Sequence, residues 1–157
     1  MRALLIVIVV GLAVGCTYNA PVKPAALENS ATLSVPLDVA WQRTMRVLAA
    51  QGAMVKTADK AQGVITTDKA TVWLNETQAD CGNIWGIPYL KDSRTMTEVA
   101  YSVYLQGDGY RTSVTVNTKI EGRFKATANQ QATTELSCFS LGTLERDLIE
   151  KIQREAP

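Results

Sequence analysis

The chain has 157 residues, with 16 basic and 15 acidic side chains, a formal net charge of +1 and no histidine. A balance this even lacks the basic excess that nucleic acid demands and leaves no polybasic patch for anionic lipid. Without histidine there is no serine triad and no imidazole base.

The first element is not part of the fold. Met1-Arg2-Ala3 gives a cationic start, Leu4–Val14 is apolar, and Gly15-Cys16 follows. This is the layout of a secretory signal. The run is too short for a stable bilayer-spanning helix, which needs about 20 residues. Ala13-Val14-Gly15-Cys16 resembles the lipobox of bacterial lipoproteins, with Ala13 where leucine is usual. That resemblance implies cleavage before Cys16, a diacylglycerol thioether on its sulfur, and acylation, for example by palmitate, of the new amino group. Thr17, where an aspartate would retain the protein at the inner membrane, implies the outer membrane. The expected organisation is a signal peptide (1–15), a lipidated cysteine with a flexible tether (16–29), and a single periplasmic domain (30–157). With Pro21 and Pro24 the tether reads as extended and solvated, able to reach roughly 40 Å from the lipid.

The domain opens with a strand near Ala31–Val35. A helix follows, with Pro36 at its start, Asp38 in its first turn and Gly52 at its end. Its apolar stripe is Leu37, Trp41, Met45 and Leu48, reading as core rather than a binding face. Ala53–Ala58 and Val64–Asp68 flank turn residues ending in Gly63, a hairpin pattern. Ala70–Leu74 is a further extended piece. Asn75–Met96 is long for a connection and suggests a functional loop or extra local structure.

Val99, Tyr101, Val103 and Leu105 then alternate with more polar neighbours. So do Tyr110, Thr112, Val114, Val116, Thr118, Ile120, Gly122 and Phe124, after a turn at Gln106–Gly109. Strict period-two alternation places one face of a sheet on a core and the other in water. Lys125–Thr134 reads as a polar loop and Glu135–Phe139 as a strand with Leu136 and Cys138 on one side. A last helix has Ser140 as its cap, an apolar stripe of Leu141, Leu144, Leu148 and Ile152, and Glu145 on its outer face.

Strand, helix, antiparallel strands, helix is an α+β pattern: an antiparallel sheet with two helices packed on one face. The arrangement is similar to helix-grip or TBP-like domains. Val35–Trp41, Gln51–Val55 and Ala61–Thr67 together resemble the repeated helix-grip domains of the BamC lipoproteins of the outer-membrane barrel-assembly machinery. That resemblance covers about forty residues and implies an envelope setting.

Catalytic parts are scarce, and no cofactor is expected. Asp80 and Asp92 are a conceivable carboxylate pair of the kind used in glycoside hydrolysis. Cys81 and Cys138, in an exported chain, are most simply a disulfide, with free buried thiols or a metal pair as the alternatives. No histidine is available to complete a metal site. Asn75-Glu76-Thr77 matches a glycosylation sequon, a chance match in a bacterial lipoprotein. Trp85, Ile87 and Tyr89 lie in an apolar stretch of the long connection. They either form an exposed contact patch for a protein partner or cover the domain's own core. The expected function is that of a non-catalytic, lipid-anchored envelope protein, an accessory or scaffold subunit of an outer-membrane assembly or secretion complex. The alternative is a periplasmic module holding a lipid, peptide or other small ligand between sheet and helices, with Tyr101, Tyr110 and Phe124 lining the cavity.

Overall fold

Alternation and helical spacing set the elements, seen here in a computed structural model that describes residues 18–126 and 133–155. In chain order they are β1 (Tyr18–Asn19), β2 (Ser30–Leu33), α1 (Leu37–Ala50), β3 (Val55–Asp59), β4 (Val64–Thr67) and β5 (Ala70–Thr71). There follow β6 (Ala79–Asp80), β7 (Asn83–Ile84), β8 (Ile87–Pro88), a single 3₁₀ turn (Tyr89–Lys91), β9 (Thr95–Gly107), β10 (Thr112–Lys125), β11 (Thr133–Ser140) and α2 (Thr143–Arg154). The expected signal peptide, Cys16 and most of the expected polar loop lie outside the described residues.

β9 and β10 pair antiparallel from Gly107 opposite Thr112 to Thr95 opposite Phe124. They are the spine of a sheet ordered β3-β4-β9-β10-β11-β6, with β2 added on β10 and β5 on β9. Val99, Val103, Leu105, Val114, Val116 and Ile120 are buried, as the alternation predicts. The opposite face carries charges that neutralise one another: Arg123 to Glu98 at 2.6 Å, and both Lys69 and Lys119 to Glu121. These two lysines, Lys69 first, hold the Glu121 carboxyl down at about 2.

Both helices pack on the dry face. Leu48 from α1 and Leu148 and Ile152 from α2 meet Val103, Val114 and Val116 in one cluster from which water is excluded. Each such side chain contributes about 1.5–3 kcal/mol by leaving water. A second cluster at the other end of the sheet holds Leu74, Cys81, Tyr89, Val99, Ile120, Leu136 and Leu144. Gly63 closes the β3–β4 hairpin at φ 67°, where a Cβ would stand 1.9 Å from the Leu105 carbonyl oxygen. Any other residue there would force the hairpin off β9.

The start of α2 differs from expectation. Gly142 is its N-cap residue, and the Ser140 hydroxyl accepts from the Gly142 N–H while donating to Glu145 at 2.6 Å. Glu145 is therefore not on the outer face: it is 1% exposed. Leu141, expected in the stripe, precedes the helix and is exposed. A first-turn glutamate tucked under the incoming strand replaces it as the contact there.

β10 has one long edge shared by two strands. β2 occupies Thr112–Thr115 and β11 occupies Ile120–Lys125. Val116 N–H donates to the Asn29 carbonyl at 2.8 Å, and past it neither strand pairs with residues 117–119. β11 diverges there, and its Phe139–Ser140 end pairs with β6.

Candidate functional site: the braced hairpin and the N-terminal arm

Residues 75–96 carry extra local structure rather than a bare loop. Asn75 Oδ1 accepts from the Thr77 N–H at 2.9 Å and its hydroxyl at 2.7 Å, so the sequon match is an Asx turn. β6 then pairs with β11, and beside it Cys81 and Cys138 form a disulfide, S–S 2.01 Å. Both half-cystines are buried. The bridge removes the free-thiol and metal-pair alternatives and pins the base of the segment to the sheet.

Beyond the bridge, β7 and β8 make a two-residue hairpin with Trp85 (φ 52°) and Gly86 (φ 76°) at its tip. Both central residues are left-handed, which is the type I′ pattern. Trp85 is 65% and Ile87 58% exposed. Tyr89 is not part of this exposed pair. It is 7% exposed, with its ring edge-on to Phe124 at 5.0 Å and its N–H donating to the Gly82 carbonyl. The chain doubles back in the 3₁₀ turn, so Tyr89 faces the second core cluster while Ile87 faces out. The two readings of the stretch are thus divided between its residues.

The segment expected to be a free tether lies along the domain. β1 pairs with β7, Tyr18 opposite Ile84 and Asn19 opposite Asn83. The Val22 N–H donates to Asp80 Oδ2 at 2.9 Å. Gly82, at φ 80°, lets this arm approach: a Cβ there would be 2.6 Å from the Asn19 carbonyl oxygen. Pro21 and Pro24 do keep the arm extended, but the open edge of β7 and the Asp80 carboxylate satisfy its backbone where water was expected to. Tyr18, 54% exposed, sits 6.5 Å from the Tyr89 ring. Nothing in the sequence of the arm marked Tyr18 as paired, since its partner lies 66 positions away and each strand has two residues.

Asp80 and Asp92 do not work as a pair. Asp80 also accepts from the Gly82 N–H at 2.7 Å, while Asp92 is gripped by Arg94 at 2.6 and 2.9 Å. The Arg94 side chain, then its backbone N–H, holds the Asp92 carboxyl down at about 2. Arg94 also lies 4.9 Å over the Phe124 ring, which ties this turn to β10. Nor do the three aromatics expected in a ligand cavity converge. Tyr110 is exposed in the β9–β10 turn, Phe124 packs on Tyr89, and Tyr101, on β9, is half-buried where the two core clusters meet, its hydroxyl pushed up by burial. The gap at 117–119 does open a groove of about 760 Å³, lined by Leu27, Thr118, Leu136, Ser140 and Glu145 among others. Among the described residues no group of three or more potential metal-ligating side chains comes together. No protein-family model matches the chain, and no curated protein matches it significantly.

Proposed function

We propose that the chain is a non-catalytic, lipid-anchored envelope protein, an accessory or scaffold subunit of an outer-membrane assembly or secretion complex, its domain of helix-grip type facing the periplasm. The observation that carries this reading is the apolar run ending in Ala13-Val14-Gly15-Cys16, two residues before an arm docked on a disulfide-braced domain. A bridge of this kind persists in oxidising compartments and is rare in the cytosol, which supports export. The order of strand, helix, antiparallel strands and helix supports the helix-grip assignment. The lack of histidine supports a role in binding rather than catalysis.

The test is metabolic labelling with radioactive palmitate and membrane fractionation of wild type and Cys16→Ser. Loss of label and release from the membrane pellet are expected for the variant. Identical processing and sedimentation would overturn the anchor. Cross-linking in native membranes tests the scaffold role; recovery of the protein always alone counts against it. The groove at the β10 gap favours a second reading, a module that holds a lipid, peptide or small ligand. Native mass spectrometry of the purified protein separates the two, a bound mass being expected only for the second.

A further inference from the structure

We propose that Tyr18, Val22, Trp85 and Ile87 form a membrane-contact patch that seats in the headgroup layer of the bilayer to which the N-terminus is attached. The inference rests on the anchor reading above and names the surface that the braced hairpin meets. Three observations carry it.

The first is continuity. Tyr18 pairs with Ile84, and Ile84 pairs with Ile87 across the Trp85-Gly86 turn, so Tyr18, Trp85 and Ile87 share one small sheet, and Val22 follows in the arm, tied by its N–H to Asp80. No residue of 17–22 or 81–90 is charged. A surface meant for water would carry charge, and contiguous exposed apolar groups mark interaction surfaces.

The second is backbone strain. Trp85 is the one non-glycine residue at positive φ among the described residues. Asparagine, aspartate or glycine suits that turn position far better than tryptophan. The strained conformation gains no core packing in return, because the side chain stands mostly in water. Strain kept without a packing gain points to function.

The third is position. Cys16 and the apolar run Leu4–Val14 precede Tyr18 directly. Two residues span at most about 7 Å, so whatever holds the N-terminus in lipid holds Tyr18 at the lipid surface. Tryptophan and tyrosine are the residues that favour that layer. The two or three acyl chains that the lipobox implies already anchor the chain stably, so the patch sets how the domain sits on the bilayer.

The test uses the full-length protein purified from membranes and reconstituted in phosphatidylcholine–phosphatidylethanolamine vesicles, with and without lipids brominated near the headgroup. Quenching of tryptophan emission is expected for wild type and is expected to fall at least by half in Trp85→Phe. Trp85→Asn is expected to keep or raise the melting temperature, because asparagine tolerates the left-handed backbone, while losing the same quenching. Equal quenching in wild type and Trp85→Phe would overturn the proposal and leave the patch for a protein partner. A marked drop in melting temperature for Trp85→Asn would also overturn it, by making Trp85 a packing residue. Intact mass reads lipidation separately. A chain without acyl groups refutes the anchor reading alone; quenching that still falls in Trp85→Phe then keeps the patch, and wild type without quenching overturns it.

Discussion

Glu145 stands in the first turn of α2, where a carboxylate complements the helix dipole, yet it is almost wholly buried and accepts a hydrogen bond from the Ser140 hydroxyl at 2.6 Å. Helical spacing put it on the outer face because the wheel knows nothing of β11, whose last residue covers that turn. Ser140 was expected as the cap of α2; Gly142 holds that position instead, and the Ser140 hydroxyl joins the Gly142 N–H to Glu145. Ser140→Ala would leave a carboxylate oxygen buried without its donor, at a cost of about 1–3 kcal/mol. Urea unfolding measures this, and Ser140→Thr, which keeps the hydroxyl, is expected to lose less. Asp92 supplies a pH prediction. Its carboxyl lies at about 2 in the folded chain, below the ordinary value of about 4 when unfolded. The contribution is therefore fully present above about pH 4 and is lost as pH falls towards about 2. Asp92→Asn is expected to melt lower than wild type at neutral pH, with the two curves merging near the acid end. Salt should shrink the difference, because the pair is partly exposed.

At the scale of elements, β9 and β10 were legible because the alternation over Thr97–Leu105 and Tyr110–Phe124 leaves one solution, and their observed register turns most of the selected set inward. The segment 75–96 was not legible in detail. Its strands are two residues long; β6 and β7 find partners in β11 and β1, far away in sequence, and β8 pairs only with β7 across a two-residue turn, so no period is long enough to read. The disulfide does there what a long strand does elsewhere. With its ends 57 positions apart, the bridge restricts the unfolded chain by about 4 kcal/mol on the chain-entropy estimate. The double variant Cys81→Ser/Cys138→Ser is expected to lose most of that in urea unfolding, and limited proteolysis should cut first within 75–96. Gly82→Ala acts on the same element from the other side. A Cβ at φ 80° would stand 2.6 Å from Asn19 O and 3.2 Å from the Pro21 ring, neither of which can yield without moving the arm, so strain of about 1–3 kcal/mol is expected. The arm should leave β7, seen as faster amide exchange at residues 18–22 with little change in β9 and β10.

For the whole molecule, the docked arm sets an orientation that a free tether would not. Tyr18 stacks towards Tyr89 and Phe124 at one end of β10, Asn29 reaches Val116 in the middle, and Leu33 pairs with Thr112 at the other end. The chain from the proposed anchor thus runs along the spine of the sheet. Phe124 to Thr112 is twelve strand steps, about 40 Å, and Tyr110 lies in the turn beyond. A free tether of thirteen residues would let the domain roam from contact with the lipid to about that same distance. On the proposed anchor, a docked arm would instead fix the Phe124 end near the membrane and the β9–β10 turn far from it. Tyr110→Cys offers a single reactive thiol for the comparison, since Cys81 and Cys138 are bridged and Cys16 is blocked by lipid in the proposed mature form. Energy transfer from a dye at position 110 to acceptor lipids is expected to give one narrow lifetime population at a separation of several tens of ångströms. Gly82→Ala, by freeing the arm, should broaden that population towards shorter distances. A broad distribution already present in Tyr110→Cys with Gly82 intact would refute the fixed stance, and the domain would then hang from its tether without a preferred face.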